Sequence, residues 1–397
     1  MDYIRAFIIL VAFSFSNLLY SQTLLQFKYT PDSRQSIECD IEGQIFVNSV
    51  YQTDYTQEYR TVRNYGALSG NFCNIQDTNY IYSTNSIYQN DVRRIVDNYS
   101  IDYKKDNNGV LVIRNNMLLP TLRNIPFLPS NPVNVGDSWT ANGFEVQDFF
   151  NEKNPSVYPI TVTHKLVRVF EHEGIEVAQI DYQFEINIVN DGRFNIDRRI
   201  QSIIGVSYTA CFFDIAKGTR IQENYQRHYI ITVDGNKHEF KDGGTRLWNE
   251  IELMNKEDMI TDIQEDLTNN GIEDTTVNID ERGVRITLEN ILFEADSSFL
   301  RDTEKERLEM IAEILKRYMD RGVMIVGHTT DLGTELGRTA LSFDRAKAVL
   351  DYLSGLNAIN TDRSSYTGVG GREPIADNNT EEGRARNRRV DIFILEE

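Results

Sequence analysis

The sequence predicts a multidomain α+β protein, in which an antiparallel β-rich domain precedes a smaller unit that mixes helices with strands. From residue 22 to 250, short runs that alternate apolar with polar residues are separated by turn residues, and helix signals are few. Consecutive hairpins of this kind form an antiparallel sheet that curls into a barrel or a sandwich. From residue 277 to 397, apolar residues recur at helical spacing between short strand-like runs. At 397 residues the chain can hold two or three domains with ordinary hydrophobic cores.

Two hairpins are the clearest part of the β pattern. Residues 156–170 alternate apolar with polar side chains, and the turn at 171–174 leads into a second alternating run at 175–186. Residues 203–214 and 220–233 form a similar pair around a turn near Gly218. The abundant Tyr and Phe residues of this region are expected to fill one face of the resulting sheet.

Two segments are candidate boundaries. Residues 126–139 contain three of the eight prolines, which fits either a sub-boundary near 126–136 or an extended crossing between strands. We prefer the crossing, because a similar β pattern lies on both sides. Residues 251–276 contain an acidic, helix-like run from Met254 to Leu267 and are predicted to link the β-rich domain, residues 22–250, to the unit at 277–397.

In the first 21 residues, a single arginine, Arg5, is followed by an apolar run, and the segment ends at the small residue Ser21. This arrangement is typical of a secretory signal peptide. The alternative is an uncleaved anchor helix, although the run falls short of the roughly 20 apolar residues that a membrane span needs. Because no cysteine follows the apolar run, we expect no lipid anchor at that end.

The chain has three cysteines, Cys39, Cys73 and Cys211. In an oxidising exported compartment two of them could pair, and Cys39 with Cys73 is the closer candidate disulfide in sequence. The alternative is that all three are small buried apolar residues. The odd count and the lack of a zinc-binding spacing leave both interpretations open.

The charge of the chain excludes one class of partner. The formal net charge is −19, and from Glu252 onward 18 Lys and Arg residues stand against 31 Asp and Glu residues. A nucleic-acid-binding domain needs clustered basic residues, so nucleic acid is excluded as a partner. Anionic membrane surfaces are disfavoured for the same reason.

Catalytic patterns find no support in the sequence. The five histidines are scattered without metal-ligand spacing, and the run Glu171-His172-Glu173 falls in a hairpin turn, where a solvated surface is the simpler explanation. The glycines at 368–371 are followed by a proline-containing loop rather than by a helix, unlike a dinucleotide-binding loop. We therefore expect no catalytic residue, no metal and no cofactor.

The elements of the last hundred residues can be placed from their spacing. Thr303 is predicted to cap a helix whose apolar stripe is Leu308, Ile311, Leu315 and Met319. A second helix, 341–353, repeats this pattern with Leu341, Ala346, Val349, Leu350 and Leu353. Strands are predicted at 284–288, 323–326, 365–369 and 390–395. We expect Phe293, Leu308, Ile311, Ile325, Val349 and Ile392 in the core.

Five ordered blocks in the same region carry a family resemblance. They are Ile291-Leu292-Phe293, Gly327-His328-Thr329-Thr330-Asp331-Leu332-Gly333, Leu341-Ser342-Phe343-Asp344-Arg345-Ala346, residues 368–378, and Asn387-Arg388-Arg389-Val390. They resemble the OmpA-like peptidoglycan-binding domain, with its G-H-T-D-x-x-G strand end, its L-S-x-x-R-A helix start and its N-R-R-V strand. The resemblance covers about a third of the chain and implies an α/β sandwich, with helices on one face of a small mixed sheet.

The resemblance also implies a ligand and a site. In such domains an aspartate binds the ammonium group of the diamino acid in the peptidoglycan stem peptide. The helix arginine and an arginine of N-R-R-V bind its carboxylate, which suits the fork geometry of guanidinium groups. By position, the arginines are Arg345 and either Arg388 or Arg389, and Asn387 is retained.

The chain departs from this pattern on the ammonium side. The position of the family's aspartate is Thr330, and Asp331 stands one place later. The family's asparagine, eight residues after its aspartate, is replaced by Arg338, which would repel an ammonium group if it pointed inward. The combination looks like multidomain OmpA-like proteins of spirochaetes.

The sequence therefore predicts a non-enzymatic envelope protein of the periplasm, associated with the cell wall or outer membrane. Its partner is the peptidoglycan stem peptide, bound weakly or in a retuned way because of Thr330. The alternative is a structural protein that interacts with other envelope proteins and no longer binds peptidoglycan.

Overall fold

The computed structural model describes residues 22–82, 93–150, 152–293 and 297–396. The predicted signal peptide, residues 1–21, lies outside the described residues. Within these ranges, none of the helices combines the length and the apolar character that a membrane span requires.

The chain begins with a long series of strands and ends with a unit of strands and helices. The strands are β1 (Arg34–Val47), β2 (Val50–Ser69), β3 (Phe72–Tyr82), β4 (Arg93–Asp106), β5 (Leu111–Val112), β6 (Leu122–Arg123), β7 (Ser138–Gln147), β8 (Ser156–His172), β9 (Ile175–Val189), β10 (Ile200–Asp214), β11 (Thr219–Val233), β12 (Asn236–Ile251), β13 (Thr275–Asp280), β14 (Gly283–Leu288), β15 (Val323–His328), β16 (Ser365–Gly370) and β17 (Val390–Leu395). The helices are α1 (Lys256–Asn269), α2 (Asp302–Leu315), α3 (Glu335–Gly355) and α4 (Glu381–Asn387).

Strands β1–β12 form one antiparallel sheet. Its order is β6-β7-β8-β9-β10-β11-β12-β1-β2-β3-β4-β5. Along β8, Ile160 and Val162 are buried whereas Thr161 and Thr163 are exposed, which is the alternation that the sequence predicted. The hydroxyl of Tyr229 on β11 donates to Glu145 Oε1 on β7 at 2.8 Å, although three strands lie between them. The sheet therefore curls over its own core, and the predicted β-rich domain is confirmed.

The proline-rich segment at 126–136 connects β6 to β7 within this domain. Ile125 and Leu128 are buried in the same core as the strands on either side. Val133 forms a β-bridge with Thr23, which ties the segment to the start of the described chain. The segment thus lies across the curled sheet as an extended crossing.

The candidate disulfide between Cys39 and Cys73 is wrong. Both residues are free and buried, as is Cys211. Cys39 of β1 is paired with Tyr59 of β2, and Tyr59 is paired with Ile81 of β3. Cys73 lies eight residues farther along β3, about 26 Å at strand spacing, whereas a disulfide needs Cα atoms within about 7 Å. The alternative, three small buried residues, describes the structure.

The C-terminal unit is a sheet in the order β13-β14-β17-β15-β16, with one parallel pair, β15 with β16. Helices α1, α2 and α3 cover one face of it. All six residues that the sequence predicted for the core lie in one buried cluster with the helices: Phe293, Leu308, Ile311, Ile325, Val349 and Ile392. The predicted fold class is confirmed.

Three details of this unit differ from the predictions. Segment 251–276 contains the predicted acidic helix, α1, but it does not act as a linker, because Ile263 and Leu267 of α1 are buried in the core of the C-terminal unit. Helix α2 begins at Asp302 without a side-chain cap, so Thr303 lies inside the helix. Met319 follows the end of α2 and is 38% exposed, because the chain tightens into a 3-10 turn at Lys316–Tyr318 and rotates the stripe away.

The structure predicts that the β-rich domain loses stability in mild acid because of His164. Its imidazole is fully buried, stacks on Trp139 with ring centroids 5.5 Å apart, and accepts a hydrogen bond from the Phe127 amide at 3.2 Å. Burial lowers the pKa of His164 from 6.5 to about 4. Between these values the unfolded chain binds a proton that the folded chain does not, so stability falls as pH drops from 6.5 to 4, by about 3 kcal/mol.

Denaturant unfolding at pH 7 and pH 4.5 tests this expectation. The loss should be smaller in His164→Gln. The control is His172→Gln, at the exposed end of β8, which should keep the wild-type pH dependence. An equal loss in all three proteins would contradict the assignment to His164.

Candidate functional site

Three strand ends meet at one edge of the C-terminal sheet. The carboxyl ends of β15 and β16 lie beside the amino end of β17, where Gly327 is paired with Val390. The His328 amide donates to Arg389 O at 3.0 Å and the Thr329 amide to Gly370 O at 3.0 Å. This edge therefore brings together the G-H-T-T run, the glycine loop and the N-R-R-V segment, which lie up to about 60 residues apart in the chain.

Thr330 and Asp331 have different surroundings. Thr330 is 8% exposed, and its hydroxyl accepts a 3.4 Å hydrogen bond from the Leu332 amide. Gly371 packs against it so closely that a Cβ at that glycine would lie 2.6 Å from Thr330 O. Asp331 is exposed. The neutral threonine, and not the adjacent carboxylate, thus occupies the buried position at this edge.

Arg338 is bound to the loop rather than directed toward a ligand. Its Nη1 donates to the carbonyl oxygens of Asp331 at 2.7 Å and Gly333 at 2.6 Å. Thr334 caps α3 in the same turn, accepting from the Gly337 amide at 3.2 Å. The expectation that Arg338 acts as a repulsive cation inside the pocket is corrected. Its guanidinium instead donates to carbonyl oxygens of the loop.

Arg345 lies on the same side of α3 as Arg338, two turns later, about 10.5 Å along the helix axis. Its Nε donates to Ser297 O at 3.2 Å, and its Cζ lies 4.8 Å from the centre of the Phe293 ring. The half-buried guanidinium is therefore held between α3 and the segment that follows β14. Both contacts therefore come from a segment outside α3.

Asn387 has a structural role. It is fully buried, and its Oδ1 accepts from the amides of Ile375 and Ala376 at 2.8 and 3.0 Å. Its Nδ2 donates to Ala376 O and Asn378 Oδ1. These four bonds use the capacity of an amide side chain. The interpretation of Asn387 as a ligand contact is corrected, since it fastens the proline-containing loop.

Arg388 and Arg389 differ in their exposure to solvent. Arg389 is 3% exposed, its Nη1 donates to the carbonyl oxygen of Glu373 at 3.0 Å, and its Nε forms an ion pair with Asp391 at 3.3 Å. The interpretation of Arg389 as a ligand contact is corrected, since its partners lie inside the protein. Arg388 is half-buried at the surface and pairs with Glu381 at 3.0 Å. Of this pair, only Arg388 keeps a surface-accessible guanidinium in the structure.

The comparison with known families decides the identity of this unit, since the OmpA family matches residues 292–388. These residues are an OmpA family domain. Over 151 residues the chain is 31% identical to outer membrane porin F of Pseudomonas aeruginosa, which covers 34% of this chain and 43% of that protein. It is 40% identical over 104 residues to the peptidoglycan-binding protein ArfA of Mycobacterium tuberculosis, covering 26% of this chain and 32% of that protein.

The chain thus spans less than half the length of these two relatives. Among solved structures, it is similar to an outer membrane protein from Borrelia burgdorferi B31, at 27% identity and a TM-score of 0.26, covering 30% of this chain and 96% of that one. The family match covers residues 292–388, and the β-rich domain lies outside that range.

A buried polar network lies directly beneath the site edge of the OmpA domain. Asp391 is 2% exposed; its Oδ1 accepts from Thr287 Oγ1 at 2.7 Å and its Oδ2 from Arg389 Nε at 3.3 Å. Nε2 of His328 lies 3.1 Å from the same Oδ2, off the axis of the ring N–H. Burial lowers the pKa of His328, against the opposing attraction of Asp391. The network joins β14, β15 and β17 below the loops that carry Thr330 and Arg388.

This network was not predicted from the sequence. The available signal was an aspartate within the otherwise apolar run Val390–Leu395, directly after two arginines. A carboxylate in a fully buried strand requires a partner, and the neighbouring arginine is the nearest one in sequence.

A trough of about 1240 Å³ crosses the outer face of the β-rich domain, with Thr161, Gln183 and Gln226 in its lining. Its basic groups Arg227 and Lys241 are paired with Asp242 and Glu239. Among the described residues, no group of three or more His, Cys, Asp and Glu side chains could hold a metal ion.

Proposed function

We propose that the chain is a non-enzymatic protein of the periplasm, associated with the cell wall or outer membrane, and that its OmpA domain associates with peptidoglycan. The family of residues 292–388 supports this, as does the similarity to a protein named for peptidoglycan binding. The observation that carries the proposal is Arg345, a half-buried guanidinium fixed by Ser297 and Phe293 at the predicted position. A guanidinium held in this way suits a carboxylate of the stem peptide.

We further propose that this association is weakened or retuned. Thr330 fills the buried position where the family's aspartate would bind an ammonium group. A hydroxyl can accept a hydrogen bond but carries no charge, and losing a charge-assisted bond costs about 1.5–3 kcal/mol. The affinity should therefore be roughly tenfold to over a hundredfold below that of a site with the carboxylate.

A structural role with other envelope proteins is the second candidate. The specific observation in its favour is that Arg338, Asn387 and Arg389 are all engaged inside the protein. In this case the OmpA domain would keep the fold without holding peptidoglycan.

Co-sedimentation with purified sacculi separates the two candidates. We expect weak binding by the wild-type chain and a further loss of about tenfold or more in Arg345→Ala, because the carboxylate would lose its fork of donors. Lys347→Ala is the matched control. Lys347 is a cation of the same helix, and it pairs with Asp351. A wild-type chain that stays in the supernatant, or equal binding by Arg345→Ala, would contradict the peptidoglycan proposal.

A further inference from the structure

The β-rich domain extends the sheet of the OmpA domain. Strand β4 lies parallel to β16, with Arg93 opposite Ser365 and Arg94 opposite Tyr366. The hydroxyl of Thr367 donates to Ile95 O at 3.2 Å. Without β4, β16 would be an edge strand with unpaired backbone groups.

The β-rich domain also buries the face of this sheet that carries no helices. Helices cover one face, and on the other Met324, Val326 and Phe393 pack against Tyr80, Tyr82 and Ile95. Polar contacts of Arg34 join the two domains as well: it donates to the carbonyl oxygen of Glu281 at 2.8 Å and forms an ion pair with Glu396. The two domains therefore share an apolar interface and a sheet edge.

Arg94 connects this interface to helix α3. Its Cζ lies 4.0 Å from the centre of the Phe343 ring, well within the range of a cation–π contact. The helix is already tight against β16, since a Cβ at Gly368 would lie 2.2 Å from the Phe343 amide nitrogen. Strand β16 and Arg94 thus both contact Phe343, which lies two residues before Arg345 in α3.

We propose that the β-rich domain supports the peptidoglycan site from outside it, and that Arg94 is a positioning residue that fixes α3 and, through it, Arg345. This rests on the proposed function. Binding groups must be held to within about 0.5 Å of their productive geometry by the residues around them. Arg345 takes its position from α3, so a contact that fixes α3 from the other domain acts on ligand affinity without touching the ligand.

The test is the affinity of the full chain for purified sacculi in Arg94→Ala, Arg94→Gln and Arg94→Lys. We expect binding roughly threefold to tenfold weaker in the first two, and recovery in Arg94→Lys, which keeps a cation over the ring. Arg93→Ala is the matched control: Arg93 is the preceding residue of the same strand, and it pairs with Glu58 inside the β-rich domain. It should bind like wild type.

A double-mutant cycle with Phe343→Leu adds a readout that general destabilisation would not reproduce. If Arg94 acts through the Phe343 ring, the second substitution should cost little once the first is present. Wild-type affinity in both Arg94→Ala and Arg94→Gln, or strictly additive losses in the cycle, would overturn this inference while leaving the proposed function intact. A wild-type chain that does not bind sacculi would overturn both.

Discussion

Replacing Asp391 with alanine should destabilise the OmpA domain by about 3–5 kcal/mol, because it removes the carboxylate from a buried ion pair. Arg389 would keep its charge in a position that is 3% exposed, and Thr287 would lose the acceptor of its hydroxyl. Denaturant unfolding measures the loss, and hydrogen exchange of the β15 and β17 amides localises it to this domain.

Glu381→Ala is the matched control for this prediction. Glu381 also pairs with an arginine of the N-R-R-V segment, Arg388, but its side chain is 67% exposed. Exposed ion pairs contribute about 0–1 kcal/mol. A loss in Asp391→Ala no larger than that in Glu381→Ala would contradict the importance of the buried network.

The same carboxylate predicts a second acid transition, well below that of His164. Burial alone would raise the pKa of Asp391, but the contact with His328 and the charge of Arg389 outweigh it and lower the pKa to about 2. Because this lies below the ordinary value of 3.8, the ionised group stabilises the fold above about pH 4, and the contribution is lost as pH falls toward 2. Asp391→Ala should lose less stability over this window than wild type.

Replacing Thr330 with aspartate should strengthen binding to sacculi by roughly tenfold to a hundredfold, because it restores an anion beside the ligand's ammonium group. The substitution suits the loop, since an aspartate can accept the hydrogen bond that Thr330 now receives from the Leu332 amide. Co-sedimentation isotherms provide the measurement. Removing Arg345 from this variant should abolish the gain.

Two control variants make this result interpretable. Asp331→Ala should bind like wild type, because Asp331 is exposed; a large loss would mean that Asp331 supplies the anion instead. Adding Arg338→Asn should bring no further gain, since Arg338 holds the carbonyls of Asp331 and Gly333 and its loss would loosen the loop. A wild-type chain that binds as tightly as Thr330→Asp would contradict the proposal of a weakened site.

The candidate site was predicted in part. The sequence placed Thr330, Arg345 and the N-R-R-V segment in one site because the family pattern fixes their spacing. The structure brings Thr330 and the N-R-R-V segment to neighbouring loops at one end of the sheet, whereas Arg345 lies on helix α3. The sequence left open which of Arg388 and Arg389 faces outward, because adjacent residues point to different sides and only the neighbouring strands decide which side is buried. The roles of Asn387 and Arg338 likewise depended on carbonyl and amide groups of loops whose shape the spacing does not specify.

The sequence by itself determined the hairpins at 156–186 and 203–233, the strands β14, β15, β16 and β17 with helices α2 and α3, and the six core residues from Phe293 to Ile392. It did not predict β13 or α4. Alternation and helical stripes are local properties of the chain, so they can be read without knowing the neighbours. Tertiary structure alone decided that α1 belongs to the OmpA core, that Cys39 and Cys73 lie far apart, and that β4 with Arg94 joins the β-rich domain to α3. These contacts join residues up to about 270 positions apart, and sheet register and packing, not local pattern, select the partner.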